Sequence, residues 1–143
     1  MPRHFEQGGI SFSYPDGWSL EQEEAESGWT VALYGPGTVF LTLTCDENLP
    51  DQQDMAEAAL EALRSDYPDL DAVERVESIA GQTAYGHDIE FISFDLTNTC
   101  WTRSFYSAAG TILVLGQYND LEAESAGPAL QAIRASIRVD EDE

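Results

Sequence analysis

His87-Asp88-Ile89-Glu90 is the one run in this sequence where an imidazole and carboxylates crowd together, and such groups can bind a metal ion or exchange protons. On a strand, His87 and Ile89 face one way while Asp88 and Glu90 face the other. The three polar groups converge only if a bulge interrupts the strand. The expectation is a polar strand end, with no catalytic residue and no metal. Arg103 stands between Trp101 and Phe105, all three on one face of a second run. A guanidinium flanked by aromatic rings can take a carboxylate or phosphate through its bidentate fork, with stacking to hold it. The alternative is an ion pair across the sheet with an acid such as Asp95 or Glu90.

Other groups promise less. Asp46, Glu47, Asp51 and Asp54 cluster after Cys45, but the turn glycine and closing glutamate of an EF-hand are missing, which leaves a solvated loop and a helix cap. The chain has no GxSxG elbow, phosphate-cradling glycine loop or CxxC pair, and no cofactor is expected. His4 falls in a terminus expected to be mobile. Trp18, Trp29 and Trp101 remain as candidate contact residues beside His87 and Arg103, because aromatics anchor interface hot spots.

The elements that must position these residues alternate between strand and helix patterns. In "ISFSYPDGW", Ile10, Phe12 and Tyr14 alternate with serines, Pro15-Asp16-Gly17 makes a turn, and Trp18 is expected to anchor the return strand in the core. Runs at 28–35 and 38–45 read as a hairpin through Gly35-Pro36-Gly37. Asp51 or Asp54 can cap a helix carrying Met55, Ala56, Ala59, Leu60, Leu63 and Tyr67 at helical spacing, stopped by Pro68. Residues 71–80 suggest an edge strand, and the phase change within 83–96 suggests a bulge or a doubly buried strand. Strands at 99–107 and 111–118 follow, then a closing helix with Leu130, Ile133 and Ile137 in a stripe and Pro128 near its start or at a kink.

Composition bounds the function classes. At 143 residues the chain is one domain's worth, long enough for a core without metal or disulfide support. It carries 27 acidic residues against 6 basic ones, all arginine, for a formal net charge of -21. That charge repels nucleic-acid phosphates and anionic membrane surfaces, so neither is expected as a partner. Two readings of the acidity remain, a high-salt solvent or a basic partner; the dispersal of the acids favours solvent. The opening residues lack a signal-peptide core and no segment is long enough for membrane insertion, which makes the cytoplasm the expected compartment. Cys45 and Cys100 are too few for a disulfide scaffold and read as small buried hydrophobes.

"GGISFSYPDGW" at 8–18, "IAGQTAYGHDIEF" at 79–91 and "PALQAIRASIRV" at 128–139 together resemble the PsbP/Mog-type α+β superfamily, with its bacterial DcrB-like branch. The stretch 87–105 also looks like a bacterial subgroup of that fold with no assigned activity. The resemblance implies an α+β fold: a twisted, mostly antiparallel sheet of about six to eight strands, flanked by two main helices at about 51–67 and 121–137. A single domain would span 1–143, with the acidic tail at 139–143 disordered. The superfamily includes photosystem-associated proteins, a nuclear import factor that binds a small GTPase, and chaperone-like adaptors of bacterial secretion systems. What these share is non-catalytic binding to another protein, so the resemblance implies an interaction module of adaptor or chaperone type, and a homodimer is compatible with it. The opposing reading is a small ligand-binding protein or hydrolase with a pocket around His87 and Arg103. It requires both side chains to reach one cavity.

The charge generates a test. If the acidity is a high-salt adaptation, the melting temperature should rise as potassium chloride is added, because screening relieves self-repulsion; a flat or falling response overturns that reading.

Overall fold

A computed structural model describes residues 2–139. The amino terminus is a strand rather than a mobile end. Strand β1 (Arg3–Gln7) turns through Gly8-Gly9, both at positive φ, into β2 (Ile10–Tyr14), and Phe5 lies opposite Phe12. Pro15-Asp16-Gly17 then turns the chain as its residue types require: the Trp18 N–H donates to the Pro15 carbonyl at 3.3 Å with Gly17 at φ 97°. The return strand does not pair with β2. β3 (Ser19–Ala25) joins a different sheet, so this corner is a crossover between sheets, and Trp18 sits half-buried within it. The ring packs so closely over Gly35 that a Cβ there would meet it at 2.6 Å.

The hairpin through Gly35-Pro36-Gly37 forms as its sequence indicates, joining β4 (Gly28–Tyr34) to β5 (Phe40–Asp46) with the Gly35 N–H on the Val39 carbonyl at 3.0 Å. Helix α1 (Gln52–Asp66) is capped by Asp51, whose carboxylate accepts from the N–H groups of Gln53 and Asp54 at 2.8 and 3.1 Å. It carries the chain from the middle of the sheet to its far edge. From there β6 (Asp71–Ile79), β7 (Gln82–Ser93), β8 (Leu96–Tyr106) and β9 (Thr111–Asn119) meander back until β9 pairs with β5. The order is β3-β4-β5-β9-β8-β7-β6, with every neighbouring pair antiparallel.

No bulge interrupts β7. Tyr85 to Ser93 pair one for one with Ser104 to Leu96; the strand is buried on both faces at 84–87, Ile92 faces outward opposite to Phe91, and the two-residue turn Phe94-Asp95, at φ 53° and 62°, returns Leu96 to the Phe91 side. Helix α2 (Ala123–Ala135) is shorter than the 121–137 expected and contains Pro128 in its interior, where the ring removes one bond to the first-turn carbonyl of Glu124. Beyond it, β10 (Arg138–Val139) pairs with β2 to complete a three-stranded sheet. Val139, expected in a disordered tail, thus lies opposite Ile10; the rest of that tail, 140–143, lies outside the described residues.

Three layers result. On one face of the large sheet, α1 buries Leu60 against Ile89, Phe91 and Cys100, and Tyr67 stacks on Phe91 at 4.0 Å. On the other, Leu130, Ile133 and Ile137 join Phe12 and Ile10 over Val31, Leu43, Val114 and Phe105. Two helices on a sheet apolar on both sides is what the apolar run of β9 demanded. Among the described residues no helix is long and apolar enough to cross a membrane.

Trp29 is 5% exposed and packs on Phe5, so Trp29→Ala should cost about 3–5 kcal/mol in urea unfolding, and Trp18→Ala, at a half-buried corner, clearly less. Equal losses would place both rings in the core.

Candidate functional site

Alternation along β8 puts Trp101, Arg103 and Phe105 on the α2 side of the sheet and Cys100 on the α1 side. The α2-side face is apolar over β4, β5 and β9, where the small sheet and α2 cover it. Toward β6 the side chains become charged, and half of the chain's six arginines gather there. Arg103 is only 4% exposed. Its Nε donates to Glu77 Oε2, its Nη2 to Asp88 Oδ1 at 2.9 Å, and its Nη1 to the Thr102 and His87 carbonyls at 2.7 and 3.2 Å. Those contacts occupy nearly all of its five donors, so the guanidinium clamps β6, β7 and β8 together and has little left for a ligand. An ion pair forms here, but not with Asp95 or Glu90. Register explains why: Arg103 lies opposite Gly86, beside Asp88, whereas Glu90 is opposite Thr99 and Asp95 is in the hairpin turn.

The network extends outward. Arg75 Nε donates to Asp88 Oδ2 at 2.9 Å, and Glu77 also approaches Arg134 Nη1 at 3.5 Å. The Arg134 guanidinium lies 4.5 Å over the Trp101 ring, and the indole fits there because its strand partner is Gly116, where a Cβ would meet the ring at 2.7 Å. Burial acts to raise the Asp88 carboxyl, but the hydrogen bonds and charges of Arg103 and Arg75 outweigh it and hold the group below the ordinary carboxylate range. These residues floor an open groove of about 480 Å³, bounded by Val73 on the edge strand and by Gln131 and Arg134 on α2. A second depression of about 410 Å³ shares Asp71 and Glu90 with it and runs on to Tyr67, Phe91 and Ile92.

His87 belongs to the opposite face. It is 3% exposed beneath α1, with Nε2 3.4 Å from Glu57 Oε2 and, among the described residues, no hydrogen-bond partner for Nδ1. Glu74 lies directly opposite on β6, and the Tyr85 hydroxyl is 3.1 and 3.0 Å from carboxylate oxygens of Glu57 and Glu74. Burial, then hydrogen bonds to the two carboxylates, push this phenol far above its ordinary value, so it remains a protonated donor. His87 and Arg103 therefore share no cavity. The pocket expected around both does not form, because adjacent-strand register places His87 opposite Thr102 and Arg103 opposite Gly86.

No protein-family model matches the sequence, and no curated protein matches it. Solved structures do resemble it. The solution structure of cyanobacterial PsbP (CyanoP) from Synechocystis superposes with a TM-score of 0.68 at 12% identity, covering 97% of this chain and 92% of that one. The chain has the PsbP-type fold. LpqN of Mycobacterium tuberculosis, described as involved in cell envelope biogenesis, shares it with a TM-score of 0.56 at 14% identity, covering 97% of this chain and 89% of that one. A Pseudomonas aeruginosa protein of unknown function gives 0.52 at 13% identity over 91% of each chain. At such identities the PsbP-type likeness speaks for the fold, not for any activity.

Of the residues singled out in the sequence, the groove brings together Asp88, Glu90, Trp101 and Arg103; Trp29 is core, Trp18 is a corner and His87 is across the sheet. Glu74 and Glu77 were legible in principle, since the two-residue turn Ala80-Gly81, both at positive φ, sets the β6–β7 register and puts Glu74 opposite His87. Glu57 and Arg134 arrive on helices, and no local signal states where a helix docks. Cys45 and Cys100 are buried free thiols on the two opposite faces, pushed up by burial to about 11 and about 12, with Glu47 and Asp46 adding to the rise at Cys45.

Because the folded Asp88 carboxyl is held below its ordinary value of about 3.8, its contribution to stability is fully present above that pH and is lost as pH falls through the lower folded value. The melting-temperature difference between the wild type and Asp88→Asn should accordingly be constant near neutrality and close below about pH 4. A difference that persists unchanged in acid would show that the charge of Asp88 does not hold the network.

Proposed function

We propose that this chain is a non-catalytic protein-interaction module whose binding surface is the outer end of the large sheet, where the groove, the free edge of β6 and the β7–β8 hairpin meet. The observation that carries this reading is the exposure of large apolar side chains at that end: Val73 is 52% exposed, Ile92 72% and Phe94 96%. In a chain this rich in carboxylates, such residues are out of place on a purely solvating surface. Phe94 supports the reading further, because it holds positive φ at a hairpin position that suits glycine or asparagine. Among the described residues strand β6 has no neighbour on its outer side, so its backbone groups can pair with an extended segment of another chain. The partner best suited is an extended segment with apolar side chains for Val73 and Ile92 and an acidic group for Arg75 or Arg134. An adaptor or chaperone holding such a segment is the most concrete version. Two buried free thiols suit the reducing cytoplasm as its compartment.

A photo-crosslinking residue placed at Phe94, Ile92 or Val73 tests this in cells expressing the protein at native level. The same partner should be trapped from all three positions, not from Thr30 on the far end of the sheet, and Phe94→Asp should abolish trapping while leaving the melting temperature unchanged. Absence of a reproducible adduct from the three positions, or equal trapping from Thr30, overturns the assignment.

A further inference from the structure

The α1-side face holds a group that the proposed binding surface does not use. Glu57 of α1, Glu74 of β6 and His87 of β7 place one ligand atom each within 4.8 Å of one another. Three physical features of this cluster are unresolved as it stands. Two carboxylate oxygens flank one phenol, and the Tyr85 hydroxyl has a single proton with which to satisfy both. The imidazole contributes little, because its 3.4 Å approach to Glu57 is long for a charge-assisted bond and, among the described residues, its Nδ1 has no partner despite near-complete burial. Among the described residues, no arginine forms an ion pair with Glu57 or Glu74. A cation between the three ligand atoms would balance the two carboxylates and give the imidazole Nε2 a direct partner.

The structure assigns to Glu57, Glu74 and His87 a binding site for one divalent transition-metal ion of the zinc class. The donor set decides the class: a buried imidazole nitrogen with two carboxylates suits zinc, cobalt or manganese, whereas calcium and magnesium favour oxygen alone. His87 is fixed in the sheet and supplies a rigid nitrogen. Glu57 and Glu74 are exposed and can close on the ion from opposite sides, the first on the helix and the second on the edge strand. The Tyr85 hydroxyl, 3.1 and 3.0 Å from carboxylate oxygens of Glu57 and Glu74, orients them behind the ion. Bound metal would tie α1 to β6 and raise the melting temperature by mass action. The site lies across the sheet from the interaction surface and is independent of it.

The probe is zinc chloride titrated calorimetrically into the metal-stripped full chain, with added salt and excess magnesium to suppress diffuse binding to the acidic surface. The wild type should take up one equivalent of zinc that magnesium does not displace. Cobalt chloride should give visible absorption bands, and nitrogen-15 spectra should report metal on His87 Nε2. Glu57→Gln and Glu74→Gln, both at exposed positions that leave the fold intact, should each weaken zinc binding at least about tenfold. Zinc uptake that the two substitutions leave unchanged, displacement by magnesium, or no saturable equivalent in the wild type would each overturn the assignment.

Discussion

A guanidinium cannot be buried in a sheet without carboxylates and carbonyls to receive it, and the outer half of this molecule is organised around that requirement at Arg103. Its acceptors come from three strands: Glu77 from β6, Asp88 and the His87 carbonyl from β7, and its neighbour's carbonyl from β8. A one-residue slip of β6 against β7 would send Glu77 to the opposite face and leave a buried charge short of a partner, a penalty of several kcal/mol. The register of the outer strands is therefore set by electrostatics as much as by apolar pattern. Glu77 carries the constraint further, because its second contact brings in Arg134 and helps to seat α2 over Trp101.

The same face thus changes character from one end to the other. Over β4, β5 and β9 it is a conventional core, sealed by the small sheet and α2. Over β6, β7 and β8 it is a network of paired arginines and carboxylates opening on a groove, in a protein whose remaining surface is dominated by acids. Beyond the groove the hairpin tip turns apolar side chains outward. On the reverse face, α1 covers the His87 imidazole and brings its own Glu57 to it beside Glu74 of β6. Strand alternation separates the two sites, so neighbouring residues such as His87 and Asp88 serve different sides of the molecule.

How much could be read in advance followed the range of the interaction responsible. The β4–β5 hairpin, the Asp51 cap, the Pro68 stop and the apolar stripe of α2 are set by residues within a few positions of each other, and all were legible. β1 and β10 were not, because neither has enough apolar content to announce itself and each exists through its pairing with β2. The phase change at 83–96 was visible, but it combined an outward-facing Ile92 with a turn at Phe94-Asp95, a pair that does not look like a turn because phenylalanine rarely takes positive φ. At Arg103 the kind of interaction was foreseeable and its partners were not. Its acceptors follow from register, and Arg134 from the docking of a helix on the other side of the chain's length.

By itself the sequence determined composition-level properties and short-range geometry: an acidic, lysine-free chain repelling phosphates, an α+β pattern with one well-capped helix, and a strand alternation that sends His87 and its neighbour Asp88 to opposite faces. Tertiary structure alone decided which residues meet. It made Trp18 a corner between sheets, turned Trp101 and Arg103 into the floor of a groove, and brought Glu57 and Glu74 to His87. The physical reason is that side-chain convergence in a sheet depends on register and on helix docking. Both are settled by long-range burial and charge pairing, over distances in sequence at which local propensity carries no information.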